Sequence, residues 1–106
     1  MCYSEVLKRR VEFNDAALRA LAKMGKVNRK FVLNGITLHL GRNDPKETTR
    51  NKFTLKRASR HTERELRLDN WRVFFTVLGD GNLVLVNLIG EKRGEKLLIE
   101  GEEFEL

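Results

Sequence analysis

Residues 71–89 constrain this chain more than any other stretch. Trp71-Arg72-Val73-Phe74-Phe75-Thr76-Val77-Leu78 and Asn82-Leu83-Val84-Leu85-Val86-Asn87-Leu88-Ile89 are rich in β-branched and aromatic residues, and Gly79-Asp80-Gly81 lies between them. Runs of this kind read as strands, and a tight glycine-bracketed connection makes them an antiparallel hairpin, Arg72 to Leu78 and Asn82 to Ile89. The second run contains Leu83-Val84-Leu85-Val86, apolar on both faces, and is therefore expected near the middle of a sheet. In the first run Val73, Phe75 and Val77 share one face and leave Arg72 on the other. Upstream, Thr62 to Leu68 alternates in the same way. Leu66 and Leu68 point one way with Arg64, and Glu63, Glu65 and Arg67 point the other. Asp69-Asn70 is the turn that joins this strand to the hairpin.

The first forty residues carry a different period. Arg9 to Phe13 reads as a short strand with Val11 and Phe13 on one face. Asn14 is a helix cap, and Asp15 suits the positive end of the helix that follows. Ala17, Leu18, Leu21 and Met24 recur at helical spacing, and Gly25 is a natural stop. Val27 to Leu40 admits two readings. Phe31, Val32, Ile36 and Leu40 fit a second helix, whereas Asn34-Gly35 between apolar triplets is a hairpin signal. A glycine inside a helix costs about 1 kcal/mol against alanine, so local propensity leans to the hairpin. Gly41 to Pro45 ends the segment, and the polar stretch onward to about Arg60 reads as a long loop. With Val27 to Leu40 as a second helix, the expected architecture is α+β: two N-terminal helices on one face of a small, mainly antiparallel sheet, as a single domain over residues 1–106. In this layout a three-stranded meander forms the body of the sheet, the early strand returns to it, and the face away from the helices belongs to Glu63, Glu65, Arg67 and Arg72.

Charge narrows the function. The chain has 106 residues and a formal net charge of +6, with 21 Lys and Arg against 15 Asp and Glu. The excess is concentrated: Lys46, Arg50, Lys52, Lys56, Arg57 and Arg60 face a single acid, Glu47, whereas the stretch from Glu100 to Leu106 carries four glutamates and no base. A basic segment this dense attracts polyanions by counterion release, which points to nucleic acid or another acidic partner. Cys2 is the only cysteine, which excludes an intrachain disulfide and a cysteine-based zinc site. Neither a metal nor another cofactor is expected. No apolar run approaches the roughly 20 residues that span a bilayer, and the sequence after Met1 lacks the apolar stretch of a signal peptide. A soluble, cytoplasmic protein is the expectation.

These elements, taken in order, resemble the RelE/ParE superfamily of type II toxin–antitoxin toxins. The resemblance rests on the short strand, the helical pair, the Asp44-Pro45 exit, the Arg-rich strand, Trp71-Arg72-Val73-Phe74-Phe75, and the return through Val84-Leu85-Val86 to Ile89-Gly90-Glu91-Lys92-Arg93. Lys96-Leu97-Leu98-Ile99-Glu100-Gly101-Glu102-Glu103 is similar to a tail found on small members. The resemblance spans Val11 to the end and is most specific in the last 45 or so residues, where the strand order is its physical check. It favours a second helix over Val27 to Leu40. It also implies an antitoxin partner and one of two activities: cleavage of mRNA on the ribosome, which inhibits translation, or poisoning of DNA gyrase without hydrolysis.

In the nuclease branch, basic residues on the open sheet face hold the scissile phosphate while the 2′-hydroxyl attacks it, without a metal. Such a reaction needs a base, an acid and charge stabilisation. Carried onto this chain, Arg72 and Lys92 are the phosphate-facing catalytic candidates, and His61, Glu63 and Glu65 are the candidates for proton transfer. Lys52, Lys56, Arg57, Arg60, Arg67 and Arg93 are the candidate RNA contacts. His39 reads as structural. The chain departs from the nuclease pattern at Glu63 and Glu65, where lysines are usual, and at Leu98, where many members carry a tyrosine. Those departures leave open a gyrase-directed binder and a non-toxic remnant that only binds an antitoxin-like helix. A generic RNA-binding domain is disfavoured, because no aromatic pair is spaced as a base-stacking platform.

Overall fold

The computed structural model describes the backbone of residues 9–43, 45–46, 48–49, 51–59, 62–79 and 81–103, with the side chains of these residues except 53–59 and 62–63. Strand β1 (Arg10–Phe13) leads into helix α1 (Asp15–Lys23) and helix α2 (Lys26–Ile36), and α2 continues as a π-helical turn, Thr37–Arg42. Six further strands follow: β2 (Lys52–Ser59), β3 (Thr62–Leu68), β4 (Trp71–Leu78), β5 (Leu83–Arg93), β6 (Lys96–Ile99) and β7 (Glu102–Glu103). The strands form one sheet in the order β2-β3-β4-β5-β6-β7, and β1 pairs with β5 in parallel. Every other pairing is antiparallel.

The expected two-layer α+β arrangement is present. Ala17, Ala20, Leu21 and Met24 of α1 and Val32 and Ile36 of α2 join Leu66, Leu68, Val73, Phe75, Val84, Val86 and Ile89 in one buried cluster. Two apolar helical positions behave differently, since Leu18 and Phe31 stay about half exposed at 50% and 48%. Asn14 caps α1 as expected, its side chain accepting from the Ala17 amide at 3.0 Å. The other end of α1 is closed from outside. Arg29 of α2 donates from Nε to the Leu21 carbonyl at 2.9 Å and from a terminal nitrogen to the Met24 carbonyl at 3.0 Å. The Leu21 carbonyl also accepts the Met24 amide, and the guanidinium, bound to carbonyls at the negative end of α1, fastens the two helices together.

Residues 27–40 are helical and π-helical, and Gly35 shows why the hairpin signal loses. A Cβ at Gly35 would lie 2.7 Å from both methyl carbons of Leu68. The glycine is the point at which α2 settles onto β3; its cost in helix propensity is offset by the close approach. The expected long loop is corrected more thoroughly. Lys52–Ser59 is a strand, paired with β3 from Lys52–Leu66 to Ser59–Thr62 with an irregularity between. The three-stranded meander is thus part of a longer antiparallel run, extended by β2 on one side and by β6 and β7 on the other.

Gly35→Ala is expected to destabilise the protein by about 1–3 kcal/mol despite the better helix propensity of alanine, because the added methyl overpacks a closed contact. Chemical denaturation with an unchanged m-value and a lower midpoint would show it; a raised midpoint would refute the packing account.

Candidate functional site

The face of the sheet turned away from the helices carries the arginines. Cross-strand partners share a face, and β3 pairs with β4 through Glu65–Phe74 and Arg67–Arg72. Glu65, Arg67, Arg72 and Phe74 therefore lie together, opposite the core residues Leu66 and Val73. Their contacts are specific. Glu65 Oε2 lies 3.0 Å from Arg67 Nε and 3.5 Å from Arg72 Nε, so one carboxylate oxygen stands between two guanidiniums. Arg72 Nη1 donates to the carbonyls of Asp69 at 2.7 Å and Trp71 at 3.0 Å. The Asp69-Asn70 turn, with Asp69 at φ 57°, thus presents a carbonyl that fixes the arginine of the following strand. Burial, and then the charge of Arg67, pull the Arg72 guanidinium below its usual pKa, while Glu65 and Asp69 act in the opposite direction. Arginine stays protonated regardless, so the shift reports a cation held at some energetic cost. Arg67, Arg72, Asp69 and Asn51 line an open polar recess here. The sequence had marked Asp69 only as a turn residue and Asn51 not at all.

Lys92 reaches this same face through an irregularity in β5. The β4–β5 ladder pairs Phe74 with Leu88 and Phe75 with Val86, which leaves Asn87 as an extra residue. Strict alternation would put residue 92 on the side of Val84 and Val86, toward the helices. The bulge reverses the phase, so that Gly90 stands opposite Arg72 and Lys92 follows on the arginine side. Asn87 itself is tied down by a bond from Nδ2 to Thr76 Oγ1 at 3.0 Å. Part of this face is apolar and closed: Phe74, Leu88 and Ile99 form a second buried cluster with Leu97 and Ala16 against it. Phe74, 1% exposed, is sealed inside and offers no stacking surface.

Two expectations about site residues are corrected. Lys52 is 1% exposed and cannot track a polyanion from there. It pairs with Leu66, on the core side of β2, and its Nζ donates to the His39 carbonyl at 2.9 Å. The lysine docks the edge strand onto the π-helical turn, whose carbonyls favour a cation. Arg93 lies on the helix side, paired with Glu91 at 3.1 Å beside a recess of about 260 Å³ that also involves Met24, Trp71, Leu98 and Glu100. Leu98 points into that recess too, so a ring at residue 98 would not face Arg72; the residues over Gly90 on the other side are Leu97 and Ile99. Arg60 and His61 lie outside the described residues, as do the side chains of Lys56, Arg57 and Glu63. Among the described residues no group of three or more His, Cys, Asp or Glu could hold a metal, and no helix is long and apolar enough to cross a membrane.

Comparison with protein-family models gave no match, and comparison with curated proteins gave none either. Solved structures do match. A chain of the toxin–antitoxin complex RelBE2 from Mycobacterium tuberculosis superposes with a TM-score of 0.66 at 19% identity, over 81% of this chain and 93% of that one. A chain of the archaeal RelE–RelB complex from Pyrococcus horikoshii OT3 gives 0.63 at 16% identity, over 84% of this chain and 99% of that one. The fold is RelE-like. At these identities it is the fold that is shared, and the RelE-like frame accounts for the helical reading of residues 27–40 that local propensity disfavoured.

His39 links the site's frame to pH. Burial first, and the charge of Lys52 second, lower its pKa from the ordinary 6.5. The unfolded chain then takes up this proton before the folded one does, so stability contributed above about pH 6.5 is lost as pH falls toward the folded value. Melting temperatures at about pH 7.5 and pH 5 should fall further apart for the natural chain than for His39→Gln; equal differences would remove His39 from the account.

Proposed function

We propose that this chain is the toxin component of a type II toxin–antitoxin system and that it inhibits translation by cleaving mRNA on the ribosome. The observation that carries the reading is the placement of Arg67 and Arg72 together at a polar recess on the face of a RelE-like sheet opposite its main core, with Lys92 on the same face two residues beyond Gly90. The two neighbours named for toxin–antitoxin complexes support a protein antitoxin as the partner. The chain would act in the cytoplasm as one domain, residues 1–106.

In this reading a phosphodiester lies in the recess at Arg72. The 2′-hydroxyl oxygen forms a bond to phosphorus and the bond to the leaving 5′-oxygen breaks. A base takes the 2′ proton, and an acid supplies one to the 5′-oxygen. Negative charge grows on the non-bridging oxygens, where a guanidinium already fixed by two carbonyls can meet it without reorganising. Lys92 and Arg67 hold neighbouring phosphates, with Lys56, Arg57 and Arg60 extending the basic track. His61 and Glu63 are the proton-transfer candidates, because Glu65 is already engaged by two arginines. No metal or cofactor enters this scheme.

One observation favours a second reading. Glu65 places a negative charge within the arginine pair, where a nuclease gains from positive charge, and a gyrase-directed toxin without hydrolytic chemistry would tolerate it. Induction in a bacterial host followed by mapping of transcript ends separates the two. Cleavage within ribosome-bound messages supports the first reading, whereas intact transcripts with inhibited supercoiling by purified gyrase support the second. Under the first reading Arg72→Gln should reduce cleavage by about 10²–10³-fold, the usual loss of one transition-state charge donor. Full cleavage by a folded Arg72→Gln chain would rule out the role given to this arginine.

A further inference from the structure

Among the described residues, the charges around the recess cancel. Arg67 and Arg72 supply two cations, and Glu65 and Asp69 supply two carboxylates within the same group of side chains. Asp69 is exposed, but Glu65 is not: its side chain is 11% accessible, and it lies beneath the arginines on β3, opposite the buried Phe74. A carboxylate at such a position costs free energy unless it is paired, and here its partners are the two guanidiniums that face the recess. The position of Glu65 Oε2, 3.0 Å from Arg67 Nε and 3.5 Å from Arg72 Nε, is one that a non-bridging phosphate oxygen would also satisfy, since both are anionic acceptors for charge-assisted N–H donors. The carboxylate stands where the ligand would bind.

We propose that Glu65 is an internal counter-anion that competes with phosphate for the Arg67–Arg72 pair, so that the recess takes a phosphodiester only as part of a polyanionic strand. An isolated phosphate must displace Glu65 with nothing else to gain. A nucleic-acid strand brings further phosphates to Lys92 and other exposed cations of the chain, and their binding offsets the broken Arg67–Glu65 contact. Arg67 is the more exposed member of the pair at 49%, and Arg72 is the more buried one, 15% exposed and bound to two carbonyls. Ligand entry accordingly turns Arg67 away from Glu65 and leaves Arg72 in place. This inference rests on reading the recess as a phosphate site and is independent of whether the bound strand is cut.

Two probes test it on the full chain: inorganic phosphate and a short single-stranded oligouridylate. Arginine Nε–H resonances are followed during phosphate titration, and RNA affinity is measured by fluorescence anisotropy at several salt concentrations. The natural chain should show no saturable phosphate response at Arg67 or Arg72. Glu65→Gln should show one, should bind the RNA roughly tenfold more tightly as one unit of opposing charge is removed, and should steepen the dependence of log K on log salt by about 0.7 for each arginine released. A folded Glu65→Gln chain with unchanged affinity for both probes overturns the proposal. If that variant does not fold, the natural chain decides: saturating RNA must shift the Arg67 Nε–H resonance far more than that of Arg72, and an Arg67 signal unmoved by RNA overturns it. Tighter binding by Glu65→Gln without any transcript cleavage upholds the counter-anion and rejects the nuclease. Cleavage with no gain in affinity does the reverse.

Discussion

β5 is the strand on which the other elements depend, because it is paired along both edges and packed on both faces. β4 runs along one edge, and β1 and then β6 occupy the other in succession. Val84, Val86 and Ile89 enter the helix-side core, while Leu88 enters the smaller cluster behind the sheet. A regular strand could not supply both, since residues 84, 86 and 88 would share a face. The bulge at Asn87 changes the phase once. That single extra residue brings Ile89 into the main core, sets Gly90 against Arg72, and aims Lys92 at the arginine side. Packing and charge placement therefore have a common origin, and neither can be altered without the other.

Gly90 shows how closely the C-terminal strands are drawn against this centre. A Cβ there would lie 2.9 Å from the Leu98 carbonyl and 3.0 Å from side-chain carbons of Leu97 and Ile99. The turn that follows β6 is held from the other side. Glu100, at φ 55°, pairs with Lys23 at 3.1 Å and with Arg19 at 3.6 Å; hydrogen bonding to Lys23 in particular holds its carboxyl below the ordinary carboxylate pKa. Both cations are exposed, and such pairs add little to stability individually. Their effect is positional, since they keep the β6–β7 turn against α1.

Much of this was legible in the sequence where one residue type served one face. Alternation in residues 62–68 and 71–78, the Gly79–Gly81 connection and the cap at Asn14 each report a local preference that the fold keeps. The failures are all places where a distant neighbour decides. Lys52 looks like a surface cation until the π-helical turn supplies a carbonyl for it. The polar composition of residues 46–60 hid a strand, because one edge of β2 needs only β3 to pair with and its charges disguise the alternation. Asn34-Gly35 imitates a hairpin, and only Leu68, far along the chain, requires the glycine in a helix. At the site, alternation identified Glu65, Arg67 and Arg72 as one face. The phase change at Asn87 is not readable from residue types, so Lys92 and Arg93, which lie on opposite faces, are both expected at the same nucleic-acid surface.

The pairing of β1 with β5 joins Arg10 to Leu83 and Phe13 to Val86. Closing so long a loop is entropically slow and brings no reward until both strands exist. A chain ending before residue 83 lacks Val84, Val86 and Ile89 of the core and the strand to which β1 and β4 both pair. The face bearing Arg67 and Arg72 is backed by β5 on one side, so its complete form requires residues 83–93. The arginine surface therefore depends on a long-range closure between the two ends of the chain and not on its own hairpin alone.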